Sequence, residues 1–188
     1  MRISMNKTHR LPFIPVVLIF AVIAVSVFLV IQLQKPAPPA EFDGDRSYSD
    51  VLAQVALGPR TPGSQAHEDV VRYIQKELVS AGWKVTLQNL QFDGHEVKNV
   101  IATRSKSTQP VTILGAHYDS RLLSDQDVDP FLARQPVPGA NDGASGVAVL
   151  LELARVMPSD LTNNVWLVFF DAEDQGDLPG WDWILGSQ

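Results

Sequence analysis

Cysteine is absent from the 188 residues, which excludes disulfides, thiolate metal ligands and a cysteine nucleophile, so any metal must be held by histidine and carboxylate. Histidine is scarce, four in all and none after His117. Clustered lysine and arginine are missing beyond residue 40. Of the 15 basic residues, Arg2, Lys7, Arg10 and Lys35 precede Ala37, leaving eleven against all 21 acidic ones, a balance of −10 within a net charge of −6. Nucleic-acid binding, which needs grouped cations to neutralise phosphates, is therefore not expected, and cationic partners such as free amino termini or metal ions are favoured.

Charge is missing altogether from Leu11 to Gln34. As a helix that run reaches about 30 Å, the thickness of a bilayer's hydrocarbon core. It reads as a transmembrane anchor over 11–34, with the basic segment 1–10 kept in the cytoplasm and the remainder outside it. Secretion after signal cleavage is the alternative, but the run exceeds a signal's apolar region and lacks a clear small-residue cleavage site. Residues 35–44, opening Lys-Pro-Ala-Pro-Pro-Ala, read as a stiff linker, and 45–188 as one domain.

Within that domain, 47–57 has helical spacing and ends at the turn-rich run Gly58 to Gly63. Ser64 is placed to cap a second helix whose face is Val70, Ile74 and Leu78, with Gly82 as its stop. Lys84 to Phe92 alternates as a strand, Asp93-Gly94 turns, and Asn99 to Thr103 returns as its hairpin partner. Val111 to Gly115 and Val165 to Phe170 read as buried strands, with a helix over about Val147 to Val156 between them. That succession is α/β, and ligand sites in such sheets gather beyond the carboxyl ends of the strands.

Three polar clusters fall there: His117-Tyr118-Asp119, Asn141-Asp142 and Asp171-Ala172-Glu173-Asp174. Catalytic zinc takes about three His or carboxylate ligands and leaves a position open. His117, Asp142 and a carboxylate at 173 or 174 supply such a set, with Asp119 accepting the other imidazole N–H. Asp174 is assigned as ligand and Glu173 as general base and acid. Taken singly, each cluster also reads as an ordinary loop, cap or solvated acidic pair.

Gly115-Ala-His-Tyr-Asp-Ser-Arg121, Pro138-Gly-Ala-Asn-Asp-Gly-Ala-Ser-Gly146, Leu150-Leu-Glu-Leu-Ala-Arg155 and Phe169-Phe-Asp-Ala-Glu-Asp174 together resemble family 28 of the zinc metallopeptidases. The resemblance extends back to Leu57-Gly-Pro-Arg-Thr-Pro-Gly-Ser64. It implies a three-layer αβα fold with a mixed, mostly parallel sheet, one or two Zn2+ ions, and peptide or protein N-termini as substrates. His117 and Asp142 become metal ligands, Glu173 the proton carrier and Asp174 the next ligand, where the family usually carries Glu-Glu. Phe-Phe-Asp before the acidic pair, and the insertion Gln175 to Leu185 before Gly186-Ser187, resemble the glutaminyl cyclase branch. There one zinc suffices and His117 need not bind it. Both branches draw a further histidine ligand from segments beyond Gln188, so the domain reads as C-terminally truncated.

The expected activity is thus aminopeptidase-type hydrolysis, with N-terminal pyroglutamate formation as alternative and a non-catalytic or inactive fragment as the third reading. Trp181 and Trp183 are candidates to wall a substrate pocket. Asp125 to Asp129 alternates like a calcium loop, but Pro130 and Pro136 stand where such a loop needs Gly and Glu. His67 and His95 read as surface residues.

Overall fold

The computed structural model describes residues 13–33, 40–104, 110–160 and 163–188. The chain divides into two units, Met1–Pro38 and Pro39–Gln188. In the first, α1 (Phe13–Leu33) carries no charged residue. Among the described residues no helix is long and apolar enough to cross a membrane, so the expected span is not met there. The basic segment 1–10 and linker residues 35–39 lie outside the described residues.

The second unit runs α2 (Gly44–Ala56), α3 (Gln65–Ser80), β1 (Lys84–Phe92), β2 (His95–Thr103), β3 (Val111–His117), α4 (Ser145–Val156) and β4 (Asn164–Phe170). Ser64 caps α3 as its residue type suggests, its hydroxyl accepting from the His67 N–H at 3.1 Å. Asp93 and Gly94 both take positive φ in the β1–β2 turn, as a tight hairpin requires. The four strands lie in the order β1-β2-β4-β3.

Two expectations are corrected here. Among the described residues the sheet is mixed but not mostly parallel: β1–β2 and β2–β4 are antiparallel, and β3–β4 is parallel. The parallel pair is the one joined through a crossover helix, α4, which is the connection parallel strands need. β3 is also not a buried strand. It closes the sheet at one edge, and Ile113 is 56% exposed on it. Its apolar run gave no sign of that, because a period-free run is equally compatible with an edge position.

One face of the sheet carries the main core. Val70, Ile74 and Leu78 of α3 and Val147, Leu151 and Ala154 of α4 pack on Val100, Ala102, Leu167 and Phe169. On the opposite face the buried cluster is Val97, Ala172 and Leu185 with Trp181 against it, and no α-helix contributes to it. Among the described residues, then, the expected second helical layer is not seen.

Helix α2 docks through a polar face, burying Ser47, Asp50 and Gln54. Its anchor is Glu152 of α4, fully buried, which accepts from Arg46 Nε at 2.7 Å, Arg46 Nη2 at 2.6 Å and the Asp43 N–H at 2.9 Å. The hydrogen bonds from Arg46 outweigh burial and hold the Glu152 carboxyl at about 2, below its ordinary 4.5. A carboxyl depressed in the folded state stabilises it fully above its unfolded value, and that contribution is lost as pH falls from about 4.5 to about 2. Glu152→Gln is therefore expected to flatten the acid limb of stability in that window, measured by urea unfolding at stepped pH; an unchanged limb refutes the assignment.

Candidate metal and proton-transfer site at the strand ends

The parallel pair β3–β4 delivers its two carboxyl ends side by side, His117 in register with Phe170. The Tyr118 N–H donates to the Phe170 carbonyl at 3.0 Å, carrying the pairing one step past the strand. This brings the loops that begin at His117 and Asp171 together. The third loop, 140–144, runs directly into α4. Gly143 takes φ +87, and a Cβ there would stand 2.8 Å from the Asp119 carbonyl. Only glycine lets the 140–144 loop cross so close to the His117 loop.

Asp119 is the hub. Its carboxylate is fully buried and accepts from the Glu173 N–H at 3.1 Å, the Asp174 N–H at 3.3 Å, Gln175 Nε2 at 2.9 Å and His117 Nδ1 at 3.3 Å. Burial opposes its ionisation, but the bonds from His117 and Gln175, with the His117 charge and the Glu173 N–H, outweigh it and hold the carboxyl below its ordinary value. One side chain thus fixes the imidazole and the backbone of the acidic pair. His117 turns its other nitrogen, Nε2, to Asp142 Oδ1 at 2.8 Å. Burial works against a charged imidazole, yet Asp119 and Asp142 raise its pKa to about 9. Metal binding through Nε2 would have to displace that proton.

Glu173 is half-buried at the end of β4, and desolvation raises its carboxyl above the ordinary value against two hydrogen bonds from Ser187. Asp174 is also raised, by burial first and then by the Asp142 charge, while Arg121 opposes. Its Oδ1 stands 3.8 Å from Arg121 Nη1.

The sequence-predicted residues are thus placed unequally. His117, Asp119 and Asp142 form one continuous hydrogen-bonded row, whereas Asp174 faces a guanidinium. Among the described residues no group of three or more His, Asp or Glu side chains is gathered closely enough to hold a metal ion. The donor types and the row fit a zinc-class ion in part: an imidazole fixed from behind by a carboxylate beside a second, largely exposed carboxylate is the arrangement zinc ligands take.

Trp181 and Trp183 separate. Trp181 stacks on His95 at 3.6 Å and lines a surface cavity of about 390 Å3 together with Asp93, His95, Asp182 and Leu185. Trp183 lies over the Arg121 guanidinium at 5.1 Å, 44% exposed. His95 is half-buried by that stack. His67 is not a surface residue: it is 3% exposed, and its Nε2 meets Asp171 Oδ1 at 2.7 Å. Its place on the inner face of α3 was readable from the spacing His67, Val71, Ile74, Leu78, but histidine's polarity hid it.

Sequence reasoning passed over three supports. Arg60, fully buried, donates to the carbonyls of Tyr118, Pro138 and Gly139 at 3.1, 2.9 and 2.6 Å. Arg121 donates to the carbonyls of Asp174 and Gly176 at 3.0 Å each and pairs with Asp125 at 2.6 Å, so part of the acidic run 125–129 serves as its counter-ion. Gln175, fully buried, joins Asp119 to the Ser120 carbonyl. All three act on backbone carbonyls or on Asp119, and no spacing in the sequence reports such contacts.

The sequence and fold are similar to those of known proteins. A glutaminyl-peptide cyclotransferase-like protein of Bos taurus is 30% identical over 165 residues, 79% of this chain and 40% of that protein. Among solved structures, a Zn-dependent exopeptidase from Parabacteroides distasonis superposes with a TM-score of 0.71 at 38% identity, covering 79% of this chain and 55% of that one. A glutaminyl cyclase of Bacteroides thetaiotaomicron bound to N-acetylhistamine gives 0.72 at 35%, covering 80% and 56%. The chain therefore spans under half of that bovine relative and a little over half of each of these solved ones. Residues 99–188, the segment holding all three site loops, match the model of peptidase family M28.

Proposed function

We propose that the protein is a zinc-dependent enzyme acting on peptide N-termini, with aminopeptidase-type hydrolysis as its reaction. The observation that carries this reading is the half-buried Glu173 carboxylate. Among the described residues no lysine or arginine pairs with it, its pKa is raised by desolvation although the His117 charge opposes, and its backbone is tied to the Asp119–His117–Asp142 row. A carboxylate poised in that way is suited to take up and return a proton.

His117 and Asp142 would hold zinc, with Asp174 joining them if it leaves Arg121; bound there, the ion would polarise the carbonyl under attack. In hydrolysis Glu173 accepts a proton from the attacking water, the water oxygen bonds to the carbonyl carbon, and the C–N bond breaks as Glu173 returns the proton to the leaving amine. Asp119 keeps the imidazole oriented throughout.

A second reading is glutaminyl cyclisation, supported by the loop between Asp174 and Gly186. That loop folds back to the end of β4, with Ile184 N–H donating to the Glu173 carbonyl and Leu185 N–H to the Ala172 carbonyl, both at 3.1 Å. It sets a partly exposed Trp183 against Arg121, as a wall for a small side chain. There the substrate's α-amine attacks its own γ-carboxamide, Glu173 takes the amine proton, and ammonia departs with it.

Mass spectrometry of peptides bearing N-terminal Leu or Gln, incubated with the zinc-loaded full chain, tests both. Release of the first residue supports hydrolysis. Loss of ammonia from the Gln peptide at unchanged length transfers the assignment to cyclisation, and loss of neither sinks the proposal for this chain.

A further inference from the structure

We propose that Ser187 is a positioning residue that clamps the Glu173 carboxylate. Its role in catalysis rests on the reading of Glu173 as proton carrier; the clamp itself does not. The Ser187 N–H donates to Glu173 Oε1 at 2.8 Å and its hydroxyl donates to Oε2 at 2.9 Å. Two donors from one residue, each on a different oxygen, fix both the position and the plane of the carboxylate, which a single bond cannot do. The hydroxyl's other acceptor, the Ile184 carbonyl, is more distant at 3.5 Å.

An exposed serine at a loop end holds nothing unless its own backbone is held, and here it is. Asn99, 1% exposed on β2, donates through Nδ2 to the Gly186 carbonyl at 2.7 Å while its Oδ1 accepts the Asp171 N–H at 3.0 Å. One amide thus ties the residue before Ser187 to the strand end that carries Glu173. Gly186 packs so closely that a Cβ would lie 2.2 Å from the Asp171 carbonyl. Leu185 is buried against Val97 and Ala172. Ile184 and Ala172 both take left-handed backbone, φ +57 and +53, a conformation that persists only where surrounding contacts over-determine it. The turn 184–187 is therefore built to present two donors at one place, and Glu173 fills it.

The clamp offers a proton carrier a fixed direction without a fixed charge. Serine brings no cation, so the carboxylate keeps its capacity to exchange a proton, whereas a lysine or arginine partner would hold it ionised. This separates Glu173 from Asp174, which faces Arg121 instead.

Two readouts on the full chain test the inference. In NMR spectra of the labelled protein, the Ser187 amide proton is expected downfield and slow to exchange, and to lose both properties in Glu173→Ala. Gly186→Ala, which alters no polar atom, is expected to mimic that loss by pushing the turn away. In the zinc-loaded chain, Ser187→Ala is expected to lower kcat about tenfold or more with KM, zinc content and melting temperature unchanged, and Ser187→Thr to restore it. An amide signal indifferent to Glu173→Ala overturns the clamp, and a wild-type kcat in Ser187→Ala overturns its catalytic role. Absence of turnover in the wild type would count against the proposed function, while the amide signal still decides the clamp.

Discussion

Glu173→Gln is expected to lower turnover by about 10²- to 10⁴-fold while leaving the fold, the Ser187 contact and the zinc content in place. Glutamine keeps the length and one acceptor oxygen, so Ser187 retains a partner, and the Glu173 N–H still donates to Asp119. What is lost is the capacity to accept a proton. Hydrolysis and cyclisation both pass one proton through this position, so the loss is expected in whichever reaction the chain performs. Glu173→Asp separates proton capacity from reach: it retains the carboxylate but draws it back by one methylene, out of the Ser187 donors, and is expected to recover only part of the rate. The measurement is kcat beside bound zinc by elemental analysis for the same preparations. A Gln variant within about threefold of wild type removes Glu173 from the proton path. One that also loses its zinc reassigns it as a ligand.

The position of Glu173 was legible in the sequence because it depends on order along the chain. An apolar run ending in Phe-Phe followed by Asp-Ala-Glu-Asp fixes a strand and what lies just past it, and β4 stops at Phe170. The helices were legible for the same local reasons: Ser64 caps α3, Gly82 ends it at φ +82, and the face Val70, Ile74, Leu78 enters the core. Sheet order was not legible, because the pairing of β2 with β4 joins strands some 65 residues apart and leaves β3 at the edge. No periodicity in either strand encodes its neighbour. The membrane reading stood on a composition, and among the described residues no helix is long and apolar enough to cross a membrane.

Within the site, the residues with chemistry to offer were visible and those that hold them were not. Asp119 lay two residues from a candidate ligand, so its link to His117 was expected, yet its grip on the Glu173, Asp174 and Gln175 donors came only from the fold. Asp174 was taken as a ligand from its place in the acidic pair. The structure sets it 3.8 Å from Arg121, a contact between loops some fifty residues apart. Arg60 was passed over because an arginine in a Gly-Pro-rich loop suggests solvent.

Arg60→Met is expected to cost about 3–5 kcal/mol, the largest stability loss among single changes near the site. The guanidinium is fully buried and spends its donors on three backbone carbonyls, those of Tyr118, Pro138 and Gly139. Methionine fills most of the volume but donates nothing, and each of the buried Tyr118 and Gly139 carbonyls left without a partner costs about 1–3 kcal/mol. The loss also removes the cation that the buried Asp119 carboxylate favours. Against a typical total of about 5–15 kcal/mol, that is enough to lower the melting temperature sharply. The consequence reaches the site because Pro138 and Gly139 lead into the loop of Asp142, and Tyr118 sits between His117 and Asp119. Arg60 is thus the tie between the two loops whose side chains meet at 2.8 Å in the His117–Asp142 contact. Arg60→Lys separates charge from geometry: it restores the cation but cannot reach three carbonyls from one nitrogen, and an intermediate loss is expected. Urea unfolding gives the stability and competition with a chelator gives the zinc affinity. If Arg60→Met stays within about 1 kcal/mol of wild type, the guanidinium is not what holds the two loops together. If stability falls but zinc affinity does not, the two loops reach their ligand geometry without it.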